Sequence, residues 1–270
     1  MNARFVTVDD GVDLFCTDSG DTAGARPVVL VHGWLCDSDD WVHLIPLLTA
    51  HTRVITVDLR GHGRSTVASS GYGPAVFADD VATVMRALGV SNAVVAGHSA
   101  GGEVGLLVGE RHPDLVAGLV AIDPVYALPA ERRAGFETRA EELSEPGAAA
   151  LASAHFASIE GPNTPDYLRE WHRRRPFAIA PHVIAETSRG FALGPDSIRL
   201  RPDADAVLLR RRVPVFAVYR DAAQAAVDRA LCPHPASEIH SWPDAGHWLH
   251  QEDPVRFHRM LRSWLARLDR

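Results

Sequence analysis

The chain has 270 residues, of which 46% are hydrophobic and 23% charged, and a formal net charge of -7. This is ordinary globular usage, so it excludes fibrous and disordered classes and leaves one large α/β domain, or a core carrying an insertion. The net negative charge gives no overall positive field for nucleic acid or anionic lipid, and no run of about 18 apolar residues could span a bilayer.

All 27 basic residues are arginine, so no mechanism can lean on a lysine. Cys16, Cys36 and Cys232 are odd in number, widely spaced and without a CxxC pair, which favours three reduced thiols over a disulfide framework or a zinc site. The opening "MNARFVTVDDGVDLF" lacks the basic start and apolar run of a secretory signal. The expectation is a soluble, cytoplasmic protein with neither nucleic-acid nor membrane partners; oligomeric state is not legible.

Short β-like runs alternate with helical ones: "RFVTV", "VDLFCT", "RPVVLVHG", the helical "DWVHLIPLLTA", then "TRVITVDLRGHG". The rhythm continues with "FADDVATVMRALGV", the strand "NAVVAG", a helix from Ser99 to about Arg111, and the strand "LVAGLVAID". Such alternation predicts a mostly parallel sheet with helices on both faces. From about Pro124 to Arg212 the pattern breaks into an Ala-, Arg- and Glu-rich stretch that reads as short amphipathic helices, an inserted cap. "VPVFAVY" and "EIHSW" resume the sheet, and "EDPVRFHRMLRSWLARL" closes the chain as a helix. The expected organisation is core 1–123, cap 124–212 and core 213–270.

"VVAGHSAGGEVG" places Ser99 between a strand and a helix with glycines at 97 and 101, the G-x-S-x-G pattern of a nucleophile elbow. A serine in so tight a turn leaves no room for side chains two residues to either side, and the following helix aims free N–H groups and its positive end at charge developing beside Ser99. Ala100 N–H is one expected oxyanion donor. His32-Gly33-Trp34 follows the strand "PVVLV", and Trp34 N–H is the expected second donor, with His32 in support. In "VDLRGHGRS", Asp58 and Arg60 read as turn hydrogen-bonders and His62 as structural. Gly246-His247 follows the last strand in the order serine, acid, histidine, so His247 is the expected base. His250 reads as a helix-start or surface residue, and His98 as facing the packing side of the turn.

With Gly97-His98-Ser99-Ala100-Gly101, His32-Gly33, "DLRGHGRS" and Gly246-His247 in order, the sequence resembles the α/β-hydrolase fold superfamily over nearly the whole chain. The resemblance implies an α/β-hydrolase fold with a helical cap, and a serine hydrolase that cleaves a carboxylic ester or lactone. With no HExxH, no paired His and Cys and no glycine-rich dinucleotide loop, neither metal nor cofactor is expected. A serine at 99 argues against the relatives that carry aspartate as nucleophile. The acid has two candidates. Most members place it after the strand matched by "VPVFAVY", where Asp221 lies, but only seven residues after Pro214. A minority use the position of Asp123, directly after "GLVAI", and Asp123 is the expected acid. The alternatives are a cofactor-independent dioxygenase on the same fold, working through a His-Asp dyad, and a ligand-sensing protein. Ala100 weakens the former, since histidine typically follows the serine in that group. Cap aromatics Phe136, Phe156, Tyr167, Trp171 and Phe177 suggest an apolar small-molecule substrate, and Arg173-Arg174-Arg175 reads as a solvated helix face.

Overall fold

In this computed structural model residues 1–22 and 25–268 are described. The strands are β1 Asn2–Asp9, β2 Val12–Asp18, β3 Val28–Val31, β4 Val54–Val57, β5 Ala93–His98, β6 Val116–Ile122, β7 Val215–Tyr219 and β8 Glu238–Ser241. They form one sheet in the order β1-β2-β4-β3-β5-β6-β7-β8. β1 and β2 pair antiparallel, β2 joins β4 antiparallel, and every later pairing is parallel. The central strands are continuous apolar runs buried along their length, as expected where helices cover both faces, while the hairpin strand β2 alternates buried and half-buried residues.

The helices are α1 Ile45–Thr49, α2 Pro74–Ala87, α3 Ala100–Arg111, α4 Arg133–Glu142, α5 Ala148–Ser158, α6 Asp166–Arg174, α7 Pro181–Leu193, α8 Asp203–Leu209, α9 Ala222–Ala230, α10 Leu249–Glu252 and α11 Pro254–Leu268. The helix expected over "DWVHLIPLLTA" is broken. Asp37 caps a 3₁₀ turn at Ser38–Trp41, and Pro46 then opens the short α1, because proline suits a first helical turn and not an interior. The closing helix likewise divides at Pro254. Helices α4 to α8 all lie between β6 and β7. Among the described residues no helix is long and apolar enough to cross a membrane.

Parallel registers bring Val31, Gly97 and Ala121 level across β3, β5 and β6, with Ile122 beside Val218 of β7. The carboxyl ends of four strands therefore share one edge, where ligands of open parallel α/β sheets bind.

Candidate active site

Ser99 joins β5 to α3 with φ 53 and ψ -119, a left-handed backbone that costs a non-glycine residue roughly 1–3 kcal/mol. Its N–H bonds to Ile122 O at 2.8 Å. A Cβ at Gly97 would run into Gly101 O, and one at Gly101 into the carbonyls of Val31 and His32. The elbow therefore packs backbone to backbone against β3. Ala100, first residue of α3, has an N–H with no partner within the helix.

At the neighbouring strand ends, His247 Nδ1 donates to Asp123 Oδ2 at 2.6 Å. Asp123 follows β6 with φ 41, a conformation that aspartate tolerates better than most residues. Its Oδ1 accepts Arg220 N–H at 3.0 Å, and Arg220 Nε lies 3.1 Å from Oδ2. His247 is held on both sides: its N–H donates to Ile159 O at 3.0 Å, and its carbonyl accepts from His98 Nε2 at 2.9 Å. Ser99, Asp123 and His247 are all nearly buried, at 8%, 7% and 7% exposure. Asp221 is elsewhere. Its carboxylate accepts Ala223 and Gln224 N–H groups and caps α9, an ordinary helix-start duty.

The loop after β3 is fixed by His32, whose Nδ1 donates to Gly33 O at 2.8 Å while Nε2 accepts from Leu59 N–H at 2.9 Å. Trp34 donates its indole N–H to Thr187 Oγ1 of α7 at 2.7 Å, and its ring meets Phe156 edge-on at 6.0 Å. Asp58 accepts the N–H groups of Ser38 and Arg64 and Arg60 pairs with Asp80, as turn anchors do. His62 is buried with its value pulled down to about 3, chiefly by desolvation, so it stays neutral. Burial also keeps the His98 ring neutral, its value far below the usual imidazole range.

Several expectations need correction. His250 begins α10 but is fully buried, its ring 4.7 Å from Trp41 and 4.8 Å from His98, and burial pulls its value down to about 3. Of the cap aromatics read as suggesting an apolar substrate, Tyr167, Trp171 and Phe177 are exposed, while Phe156 is buried between Trp34 and Trp248 and Phe136 is half-buried. Arg175 does not belong to a solvated face: it is buried, paired with Asp37 and Asp40, and lies under the Trp171 ring at 5.0 Å.

Sequence reasoning also passed over Arg220 on the carboxylate and a brace beneath His247. In that brace Glu252 accepts Gly246 N–H at 2.9 Å and Thr164 Oγ1–H at 2.5 Å, while Gly161 and Gly246 touch backbone to backbone. An acid six residues past a glycine carries no sequence signal, because its partner Thr164 comes from a distant helical segment.

Residues 26–180 match the alpha/beta hydrolase fold family, and the chain belongs to it. It is 31% identical over 251 residues to the putative carbamate hydrolase RutD of Caulobacter vibrioides, covering 91% of this chain and 92% of that one. A shorter stretch of 126 residues is 44% identical to the bifunctional esterase/perhydrolase DCH of Acinetobacter calcoaceticus. Matches of that kind, which also include non-heme haloperoxidases, span less than half the length of those relatives. Among solved structures, a thermophilic esterase from Thermogutta terrifontis superposes with a TM-score of 0.84 at 24% identity, each chain covered completely. Esterase RhEst1 from Rhodococcus sp. ECU1013 superposes at 0.81 with 26% identity over 99% of this chain and 100% of that one. The relatives are thus esterases, haloperoxidases and hydrolases.

Proposed function

We propose that the protein hydrolyses a carboxylic ester or lactone through Ser99, His247 and Asp123, with residues 124–212 serving as a cap over the site. The reading rests on one observation above all: the 2.6 Å bond from His247 Nδ1 to Asp123 at the sheet edge that carries the strained Ser99. Ser99 Oγ attacks the carbonyl carbon and His247 Nε2 takes its proton. Asp123 holds the Nδ1–H tautomer and supports the transient imidazolium. The oxyanion forms against Ala100 and Trp34 N–H groups, each such donor contributing about 3 kcal/mol to transition-state binding. His247 then protonates the leaving alcohol, and water resolves the acyl-serine by the reverse sequence. Burial of the site under α5 and α7 excludes bulk water and strengthens these interactions.

A second reading is supported by the relatives named perhydrolase and haloperoxidase. Hydrogen peroxide in place of water would carry the same acyl group off as a peracid, leaving Ser99 free. Both readings require an acyl-serine, so a fluorophosphonate probe should label wild-type protein at Ser99 and leave Ser99→Ala unlabelled. Absence of an adduct at Ser99 would remove both. The dioxygenase alternative is checked on the same pair of proteins, since oxygen uptake with hydroxylated quinoline-type substrates should persist in Ser99→Ala only if His247 acts on substrate directly.

A further inference from the structure

The proposed mechanism gives no task to the Arg220 side chain, yet that side chain reaches the anchors of both His247 and Asp123. Arg220 is the first residue after β7 and stands one place before Asp221, on the loop where most α/β-hydrolases carry the acid. Its backbone N–H donates to Asp123 Oδ1 at 3.0 Å and its Nε lies 3.1 Å from Oδ2, the oxygen that accepts His247 Nδ1–H at 2.6 Å. Arg220 Nη1 donates to Ile159 O at 3.2 Å, and that carbonyl, at the end of α5, also accepts His247 N–H at 3.0 Å. The contacts close a ring: Asp123 to the His247 imidazole, the His247 backbone to Ile159 O, Ile159 O to Arg220, and Arg220 back to Asp123. Among the described residues the Arg220 side chain has no other hydrogen bond or ion pair. A guanidinium suits this place because its nitrogens are held in one plane and can serve two acceptors at once, which a lysine ammonium on its flexible stem does poorly.

The other titratable groups around His247 are His98 of β5, His155 of α5, His172 of α6 and His250 of α10, and burial keeps each of them neutral near pH 7. Glu160 is held by Arg169, and Glu252 accepts Gly246 N–H. The charge in contact with the imidazole is therefore Asp123, and the charge in contact with Asp123 is Arg220. A cation on Oδ2 offsets part of the carboxylate's attraction for an imidazolium, and so favours the neutral ring that can accept a proton. We propose that Arg220 is a positioning residue for the dyad: it fixes the Asp123 carboxylate and the Ile159 carbonyl relative to His247, and its charge keeps the imidazole a competent base to lower pH. The effect on turnover rests on the esterase reading above, whereas the effect on the imidazole does not.

The test titrates the His247 ring by NMR, its signals assigned by their loss in His247→Gln, and measures kcat and KM for p-nitrophenyl butyrate on the same proteins. Arg220→Met should raise the midpoint of the ring titration by about 0.5–1 pH unit and lower kcat by about tenfold, with KM within about twofold. Because the Arg220 side chain is 37% exposed, added salt should narrow the difference in midpoint. Arg220→Lys should hold the midpoint near that of wild type and recover only part of kcat, since it restores the charge without the two-acceptor geometry. Arg212→Met, which removes an exposed arginine ahead of β7, should change neither quantity. A midpoint unmoved in Arg220→Met would overturn the inference even if the melting temperature fell, because a merely structural role leaves the ring's titration alone. A shift of equal size in Arg212→Met, or a kcat in Arg220→Met close to that of an active wild type, would overturn it too. Should wild-type protein fail to turn over the ester, the esterase reading falls, and the midpoints of the Arg220 variants still decide whether Arg220 acts on the dyad.

Discussion

On the proposed reading, the sheet edge and the helical segment 124–212 contribute to one candidate site by different means. At the edge, parts are placed by backbone: the Ser99 turn closes on Gly97 and Gly101, and Asp123 follows a strand whose register is locked to β5 and β7. In the helical segment they are placed by side chains from elements distant in sequence, as with Trp34 to Thr187, Arg199 to Glu103 and Glu252 to Thr164. Backbone placement leaves glycines and strand ends that a sequence displays, and side-chain placement leaves little trace.

The contrast can be broken most directly with two glycines. Gly101→Ala would drive a methyl into the Val31 and His32 carbonyls, so a loss of about 3 kcal/mol in thermal unfolding is expected, with activity lost as the elbow shifts. Gly135→Ala, on exposed α4 with open space around it, should instead gain about 0.5–1 kcal/mol from helix propensity. Effects of the same sign and size at both positions would mean that the elbow is not backbone-packed as described.

A second test concerns Glu103, where the two regions meet. Burial lifts its carboxyl to about 7 against the opposing pull of Arg199. Its folded value lies above the ordinary carboxylate value, so the stability from the protonated form is fully present below about pH 4.5 and lost as pH rises through about 7. Wild-type stability minus that of Glu103→Gln should therefore decline across that window, by on the order of 1–3 kcal/mol in urea titrations. A flat difference would mean that Glu103 stays ionised with Arg199 throughout.

Smaller effects sharpen the boundary. Glu252→Gln weakens a charge-assisted bond beneath His247 by about 1 kcal/mol, so kcat should fall about fivefold with KM within twofold; a change confined to KM would deny Glu252 a role in positioning the histidine. Phe177→Ala, 64% exposed, should stay within about 0.5 kcal/mol of wild type and leave the preference among acyl chain lengths unchanged. A shifted preference would return Phe177 to the substrate pocket.

The α/β-hydrolase fold was legible because strand and helix periods alternate cleanly and the elbow glycines occur in order with His32-Gly33, "DLRGHGRS" and Gly246-His247. His247 was legible through Gly246 and its place after the last strand. Arg220 was not, because an arginine beside the more usual acid position looks like any surface arginine until Asp123 is seen against it. The burial of His250 and Arg175 was hidden for a related reason: polar residues at a helix start or in a basic run read as solvated unless the neighbouring Trp41 and the paired Asp37 and Asp40 are known.

The central claim, that Asp123 and not Asp221 orients His247, is tested most directly by ester turnover of Asp123→Asn and Asp221→Asn side by side. Asp123→Asn should lower kcat by on the order of 10³ to 10⁴-fold with the fold intact, because the imidazole loses the partner that fixes its tautomer. Asp221→Asn should stay within twofold, since asparagine caps α9 as well as aspartate does. A near-silent Asp123→Asn beside a crippled Asp221→Asn would contradict the account.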